Sequence, residues 1–593
     1  MGSIPDPEAI TPWARIYAGD HDGAELQGMT ALFAAYMGVV FFAAFHPKPR
    51  RGKAWTLAAA AGCLGAIGIV LATRSWSFTA LPLRCWKIHL ALASGLGLAA
   101  LAIRFLAARQ GRSALPSGPS ASSASSAAVF FSAVFWTGLA GFILACSPPP
   151  SLHDYGFFLG PANKILHGEA WGSFYQQYGL GETLLFAGMM KLGFPLSWMQ
   201  AALGLILAFW IHLYHRLARR LLADRVLVLL FLAALIVVRV LASRYCPFGE
   251  PQASALRMDL WVPALLAWAR FGFASPWTAL AFGGLYLADN LFGMLFCGLY
   301  VAALLLALLR KHPVLAGRKP REIASLFLPA ALACGFQVLV YGSPVSPAGR
   351  HYQHLNIGFL PIDPHSLFWP VALLLGFSAF AIAPGRRPLH LALFPVAAVQ
   401  LIYFFGRSHE NSLMAISGAF LLVFFLALDR VAAVPRRARP AYGLAALLIA
   451  ASAFLFEEGI WSRVSQAGRN LSARTLALRA PEEIRADGYP DWPGIFPHRN
   501  LVFVSPDDAY LYYRFRLPTP GYWTPLPGRI DLDGTACYLR DRILAGDVAL
   551  VLGWEPADLA ALGSGARLRE SGWTLVPSRE NGYDVLALLA LSR

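Results

Sequence analysis

Apolar runs of membrane-crossing length, repeated along most of the chain, set the tightest limit on its fold. The hydrocarbon core of a bilayer takes about 20 apolar residues per helix, and the sequence offers about fourteen such runs. They lie near 27–45, 54–72, 86–106, 128–146, 196–215, 225–242, 258–270, 276–289, 291–309, 323–341, 367–383, 389–405, 411–428 and 441–457. Of the 593 residues, 57% are hydrophobic and 14% charged, more apolar surface than a soluble core hides. The expected class is a polytopic α-helical membrane protein.

The net charge of +16 invites a nucleic-acid partner. The placement of that charge argues against one. Lys and Arg gather in short loops between spans: His46 to Lys53, Arg104 to Arg112, Arg216 to Arg225, Arg310 to Arg321, Arg386-Arg387 and Arg430 to Arg439. Basic loops mark the cytoplasmic side and meet anionic lipid headgroups. They alternate consistently only if 160–195 does not cross the membrane. The stretch 148–195 is therefore expected to be one long outer loop with in-plane amphipathic helices. Both termini then lie outside the cytoplasm. Met1 to Gln27 is acidic and polar and does not read as a signal peptide.

Three units are expected. Residues 1–127 hold a polar segment, three leading helices and a Ser/Ala/Pro-rich linker from Ser113 to Ser126. Residues 128–457 hold the main transmembrane domain. From about 458 to 593 charge, proline and turn dipeptides such as Asp487-Gly488 and Asn581-Gly582 increase. Leu501 to Val504 and Val548 to Leu552 read as buried strands and 555–563 as a short helix, so a soluble α/β domain on the outer face is expected. The seven cysteines are scattered with no CxxC pair, so neither a zinc site nor a disulfide framework is expected.

In this topology the unusual polar residues collect outside the cytoplasm. His153-Asp154-Tyr155 follows an apolar span and Pro148-Pro149-Pro150; Asn163, Lys164, Tyr178 and Glu182 come later in the same loop. The other groups are Arg239 to Asp259, including Arg257; Asp289-Asn290; Arg350 to His354; and Arg407-Ser408-His409-Glu410-Asn411. Ionisable groups at membrane depth usually face a cavity or pathway. Carboxylates, cations and aromatics on an outer face suit sugar transfer from a lipid phosphate. An ionised Asp takes the acceptor proton. Arg and His stabilise the departing phosphate. Aromatics suit sugar faces and a prenyl chain. No Gly-rich phosphate loop is present, in keeping with a lipid-borne donor.

The arrangement resembles the GT-C superfamily of polyprenol-dependent glycosyltransferases, such as protein O-mannosyltransferases and aminoarabinose transferases. The likeness lies in a helix at 128–146, an early acid at Asp154 and a long outer loop to 195. It implies Asp154, beside His153, as the acceptor-activating base. It implies Arg407, His409, His351 and Arg257 as ligands of the donor phosphate. Tyr155, Lys164, Tyr178, Glu182, Asp259, Glu410 and Asn411 are the expected substrate contacts. The family's Asp-Glu or Asp-x-Asp pair is here His153-Asp154, so a metal-independent reaction without cofactor is favoured over one using a divalent metal. The expected partners are a polyprenyl phosphate-linked sugar, a glycan, lipid or protein acceptor and the bilayer. The expected location is a bacterial inner membrane, with the site on the periplasmic side.

Other readings compete. Arg407 to Leu413 resembles the His-Asn-x-x-Leu pattern of O-antigen ligases and polymerases, which use polyprenyl diphosphate donors. A lipid-sugar transporter would show an inverted repeat and polar residues at mid-membrane; neither is visible. Individual residues have plainer roles open to them. Asp154 suits an N-cap, Lys164 and Glu182 a solvated surface, and Arg239 snorkelling to headgroups. Arg257 and Asp259 suit a pair with one another. Asp289-Asn290 suits a turn, and Tyr178-Gly179-Leu180-Gly181 a tight bend.

Overall fold

The computed structural model describes residues 126–147, 152–171, 174, 176, 178–242, 250–341, 366–368, six positions between 371 and 382, 388–406, 410–472, 500–504, 508–519, 548–553, 573–580 and 583–590. Helices come first: α1 (Ser126–Ala145), α2 (Leu152–Leu166), α3 (Leu180–Lys191), α4 (Leu196–Leu221) and α5 (Arg225–Ile236), the last continued by a π-helical turn, Val237–Ala242. A 3-10 turn (Pro251–Ala253) leads into α6 (Ala255–Met258), α7 (Trp261–Phe271), α8 (Pro276–Ala288), α9 (Phe292–Leu309) and α10 (Pro320–Tyr341). After these come α11 (Pro388–Gly406), α12 (Glu410–Ala415), α13 (Ser417–Ala432), α14 (Pro435–Leu455) and α15 (Glu457–Ser472).

Among the described residues, four helical stretches are long and apolar enough to cross a membrane: Leu196–Leu221, Arg225–Ala242, Phe292–Leu309 and Arg437–Leu455. The protein is a multi-pass helical membrane protein. The runs expected at 258–270 and 276–289 form α7 and α8 within a few residues of those bounds, and both are too short to cross a bilayer upright. At 11 and 13 residues, α7 and α8 reach only about 17 and 20 Å at 1.5 Å per residue, against a core of about 30 Å. Local chemistry cuts them. Gly272 ends α7 at φ 85, and Ser275 caps α8 with Pro276 at its first position. The spans expected at 27–45, 54–72 and 86–106, parts of 367–383, and the helix expected at 555–563 lie outside the described residues.

Packing follows side-chain chemistry. From Ser417 to Asp429, α13 is buried on every side, as an all-round apolar helix must be. Asp224 caps α5 by accepting from the Val226 and Leu227 amides. Its other carboxylate oxygen accepts from the Tyr442 hydroxyl at 2.5 Å. Asp429 accepts from the Ala223 and Asp224 amides at 3.0 and 2.8 Å. The turn between α4 and α5 is thereby tied to α13 and α14. The region expected to open the outer domain begins as a helix: α15 packs on α1 and on the π-helical turn. Its Asn470 amide donates to the carbonyls of Ala145 and Ser147 at 2.8 and 3.0 Å, satisfying the C-terminus of α1.

Both stretches read as strands pair in a four-stranded sheet. Strands β1 (Asn500–Val504), β2 (Val548–Gly553), β3 (Trp573–Glu580) and β4 (Tyr583–Ala590) lie in the order β1-β2-β4-β3. β1 and β2 are parallel, and the other neighbours are antiparallel. The short helix α16 (Asp508–Phe515) follows β1 and packs on α2.

Arg239 does not snorkel to headgroups. It is 1% exposed on the π-helical turn and holds Asp259 through two N–H···O bonds, at 2.8 and 3.1 Å. The Tyr214 hydroxyl donates to the same carboxylate at 2.6 Å, and Arg239 also donates to the Ala415 carbonyl. Asp259 therefore pairs with Arg239 rather than with Arg257. Removing one partner of such a buried pair leaves an uncompensated charge and costs about 3–5 kcal/mol. Asp259→Leu is expected to lower the unfolding temperature in detergent steeply. Arg239→Met combined with Asp259→Leu is expected to recover most of that loss, and thermal scans of the three proteins check it.

Candidate functional site

The site is built where α2 and α3 meet the segment 250–259. Asp154 sits in the first turn of α2, where a negative charge complements the helix dipole. It is half-buried and accepts a hydrogen bond from the Gln252 side-chain Nε2. The Gln252 carbonyl in turn accepts from Arg257 at 2.7 Å, and Arg257 Nε donates to Asp289 at 2.9 Å. A connected chain thus runs from Asp154 through Gln252 and Arg257 to Asp289. Asp289 also accepts from the Leu291 and Phe292 amides at 2.9 and 2.6 Å. It therefore caps α9 as well as pairing with a cation.

Aromatic rings enclose the Arg257 guanidinium. Tyr178 lies 4.3 Å from it, Tyr403 5.2 Å and Phe292 5.6 Å, centroid to carbon. Cation–π attraction of this kind strengthens as water is excluded. Tyr178 stacks on Phe158 at 5.1 Å. The bend that follows needs glycine. Gly179 has φ 96, and a Cβ there would meet the Asp289 Cα at 2.8 Å. Only a residue without a side chain lets the start of α3 lie this close to the Asp289 backbone.

Glu182 is buried in the first turn of α3 and accepts from the Ser254 hydroxyl. Burial pushes its carboxyl from an ordinary 4.5 up to about 8; the Ser254 hydrogen bond and the Arg257 charge oppose the rise, and Asp289 adds to it. At neutral pH Glu182 therefore carries a proton.

Lys164 is buried at the far end of α2. Its ammonium donates to the Thr519 carbonyl at 2.8 Å and pairs with Glu169 at 3.3 Å. Burial pulls its pKa below the usual lysine value, and Glu169 partly restores it. Neighbouring side chains bind the same tail segment. Asn163 donates to Leu517 O and Thr519 Oγ1, both at 2.8 Å. The Tyr513 hydroxyl donates to Phe194 O at 2.9 Å. Residues 508–519 are thus fastened to the helix that carries Asp154.

The structure brings together Asp154, Tyr178, Glu182 and Arg257 of the expected site residues. Tyr155 is fully buried, edge-on to Phe186 at 5.6 Å. Asp259 belongs to the Arg239 pair. Arg407, His409 and His351 lie outside the described residues, as do the side chains of His153, Glu410 and Asn411. Sequence reasoning passed over Gln252 and Ser254; it placed Asp289 among the outer polar groups, with a turn as its plainer role, and named no partner for it. The available signal was Pro251-Gln252-Ala253-Ser254, a proline-led polar run directly before an apolar helix. Among the described residues, no three His, Cys, Asp or Glu side chains gather in a way that would hold a metal ion.

Comparison with known proteins adds little. No family model matches the chain, and no curated protein matches it. Among solved structures it is similar to the crystal structure of ArnT from Cupriavidus metallidurans bound to undecaprenyl phosphate. The TM-score is 0.47 at 13% identity, over 78% of this chain and 98% of that one.

Glu182 generates a test of the cluster. Its folded pKa lies above the unfolded one, so the folded state holds the proton more tightly. The stability this contributes is full below about pH 4.5 and is lost as pH rises through about 8. Glu182→Gln keeps the neutral form at all pH values. Its unfolding temperature is expected to fall less than that of the wild type between pH 5 and pH 9; parallel thermal scans across that range check this.

Proposed function

We propose that the protein is a GT-C-type glycosyltransferase that moves a sugar from a polyprenyl phosphate to an envelope glycan, lipid or protein on the outer face of the membrane. The observation that carries the reading is Asp154: a half-buried carboxylate at the start of α2, held by the Gln252 amide inside a connected polar chain. A base of this kind is the group a hydroxyl acceptor requires. Asp154 takes the acceptor proton while the acceptor oxygen bonds to the anomeric carbon. The bond from that carbon to the phosphate oxygen breaks, and polyprenyl phosphate leaves. Attack opposite the leaving group inverts the anomeric centre.

The departing phosphate needs fixed positive charge. Arg257 is engaged by Asp289 and by the Gln252 carbonyl. We therefore assign donor phosphate binding to Arg407, His409 and His351, and a positioning role to Arg257. The distribution of Lys and Arg among the loops supports a topology with this face outside the cytoplasm, and we assign it to the periplasmic side of a bacterial inner membrane. In this reading the tail from about 458 is an outer domain containing the sheet and fastened to α2. No metal or other cofactor is assigned to the reaction.

The test is transfer by the purified protein in nanodiscs, offered a panel of radiolabelled polyprenyl monophosphate sugars and crude envelope acceptor. Label is expected to reach acceptor with the wild type. Asp154→Asn is expected to lose about 10²-fold or more of that rate with an unchanged unfolding temperature. Full activity in Asp154→Asn would remove the base assignment. Transfer only from a lipid diphosphate oligosaccharide, lost in Arg407→Ala, would favour the ligase instead.

A further inference from the structure

Gln252 is more deeply buried than the carboxylate it holds. It is 4% exposed, its Nε2 donates to Asp154, and its backbone carbonyl is fixed by Arg257. Its side-chain oxygen, Oε1, is buried and meets no hydrogen-bond donor among the described residues. The carboxylate dictates which way the amide faces, because an ionised carboxylate only accepts and must meet the N–H₂ end. The oxygen end is then an acceptor whose orientation is set and whose partner is missing. Leaving a buried acceptor without a donor is costly, and this one, unlike the others in the bundle, belongs to the side chain that holds Asp154, where a substrate hydroxyl can supply the donor.

We infer that Gln252 binds the acceptor substrate: its Oε1 receives a hydrogen bond from a hydroxyl beside the one Asp154 deprotonates. The inference rests on the transferase reading and narrows it. Oε1 and Nε2 share one carbon, so Oε1 lies within the width of one amide group of the bond to Asp154. A substrate satisfying both at once carries two adjacent donors. That pattern is a vicinal diol, the chemistry of a glycan or glycolipid headgroup. An isolated side-chain hydroxyl on a protein does not supply it. Gln252 accordingly has two separable roles, holding the base through Nε2 and binding the acceptor through Oε1. Only Asp154 takes a proton, and no bond to Gln252 forms or breaks.

The experiment measures transfer from a radiolabelled polyprenyl monophosphate sugar, with envelope extract divided into a glycan and glycolipid fraction and a protein fraction. Label is expected in the first fraction. Gln252→Met keeps the length but removes both polar atoms, and it is expected to raise the KM for that fraction about ten-fold, the loss of one neutral hydrogen bond. The KM for the donor is expected to stay unchanged. Gln252→Glu keeps an oxygen in place of Oε1 and loses the N–H₂. It is expected to hold the acceptor KM within about two-fold while kcat falls about ten-fold or more. This second variant carries the test if Gln252→Met does not fold. An unchanged acceptor KM in Gln252→Met, an unchanged kcat in Gln252→Glu, or label only in the protein fraction overturns the assignment while leaving the transferase reading intact. A wild type that transfers from no monophosphate donor overturns that reading and this assignment with it.

Discussion

Arg257 is almost wholly buried, and an unpaired guanidinium at that depth would cost several kcal/mol. Asp289 removes most of that penalty by accepting from Nε at 2.9 Å, and Tyr178, Phe292 and Tyr403 surround the remaining face. The arrangement of the site follows from this pairing. Because Arg257 cannot move without exposing its charge to apolar surroundings, the Gln252 carbonyl it holds is fixed too. The Gln252 side chain then sets the position of Asp154. A second ion pair, Arg239 with Asp259, anchors the end of the same segment, so 250–259 is held between two buried charges. Buried pairs are weak evidence of stability. Their effect here is positional: they impose one geometry on a segment whose helices are too short to define it.

The tail bears on the same geometry from the other side. Asn163 and Lys164 on α2 satisfy backbone carbonyls of Leu517 and Thr519, and Tyr513 bonds to Phe194. Asp154 therefore lies on a helix held at its start by Gln252 and along its length by residues 508–519. Lys164, expected to contact substrate, is committed to this join in the structure.

The membrane class and the strands at 501–504 and 548–552 were legible from residue order. Each depends on a local pattern: length of apolar run, or short apolar blocks between turn residues. The bounds of α7 and α8 were legible too, because Gly272 ends one helix and Ser275-Pro276 starts the next. Gln252 and Ser254 escaped notice because Pro251-Gln252-Ala253-Ser254 marks only a polar turn before a helix, and the amide and hydroxyl gain roles once Asp154 and Glu182 are placed against them. Arg257 and Asp259, two residues apart, looked like a pair; the structure gives each a partner from another element.

What the sequence alone determined is therefore the solvent this protein folds in and the elements it builds. Apolar length, loop charge and turn chemistry are properties of neighbouring residues. Tertiary structure alone decided which donor meets which carboxylate. Arg239 reaches Asp259 across 20 positions, Arg257 reaches Asp289 across 32 and Gln252 reaches Asp154 across 98. A buried charge must find a counter-charge wherever packing provides one, and packing is settled by the whole bundle rather than by any one segment.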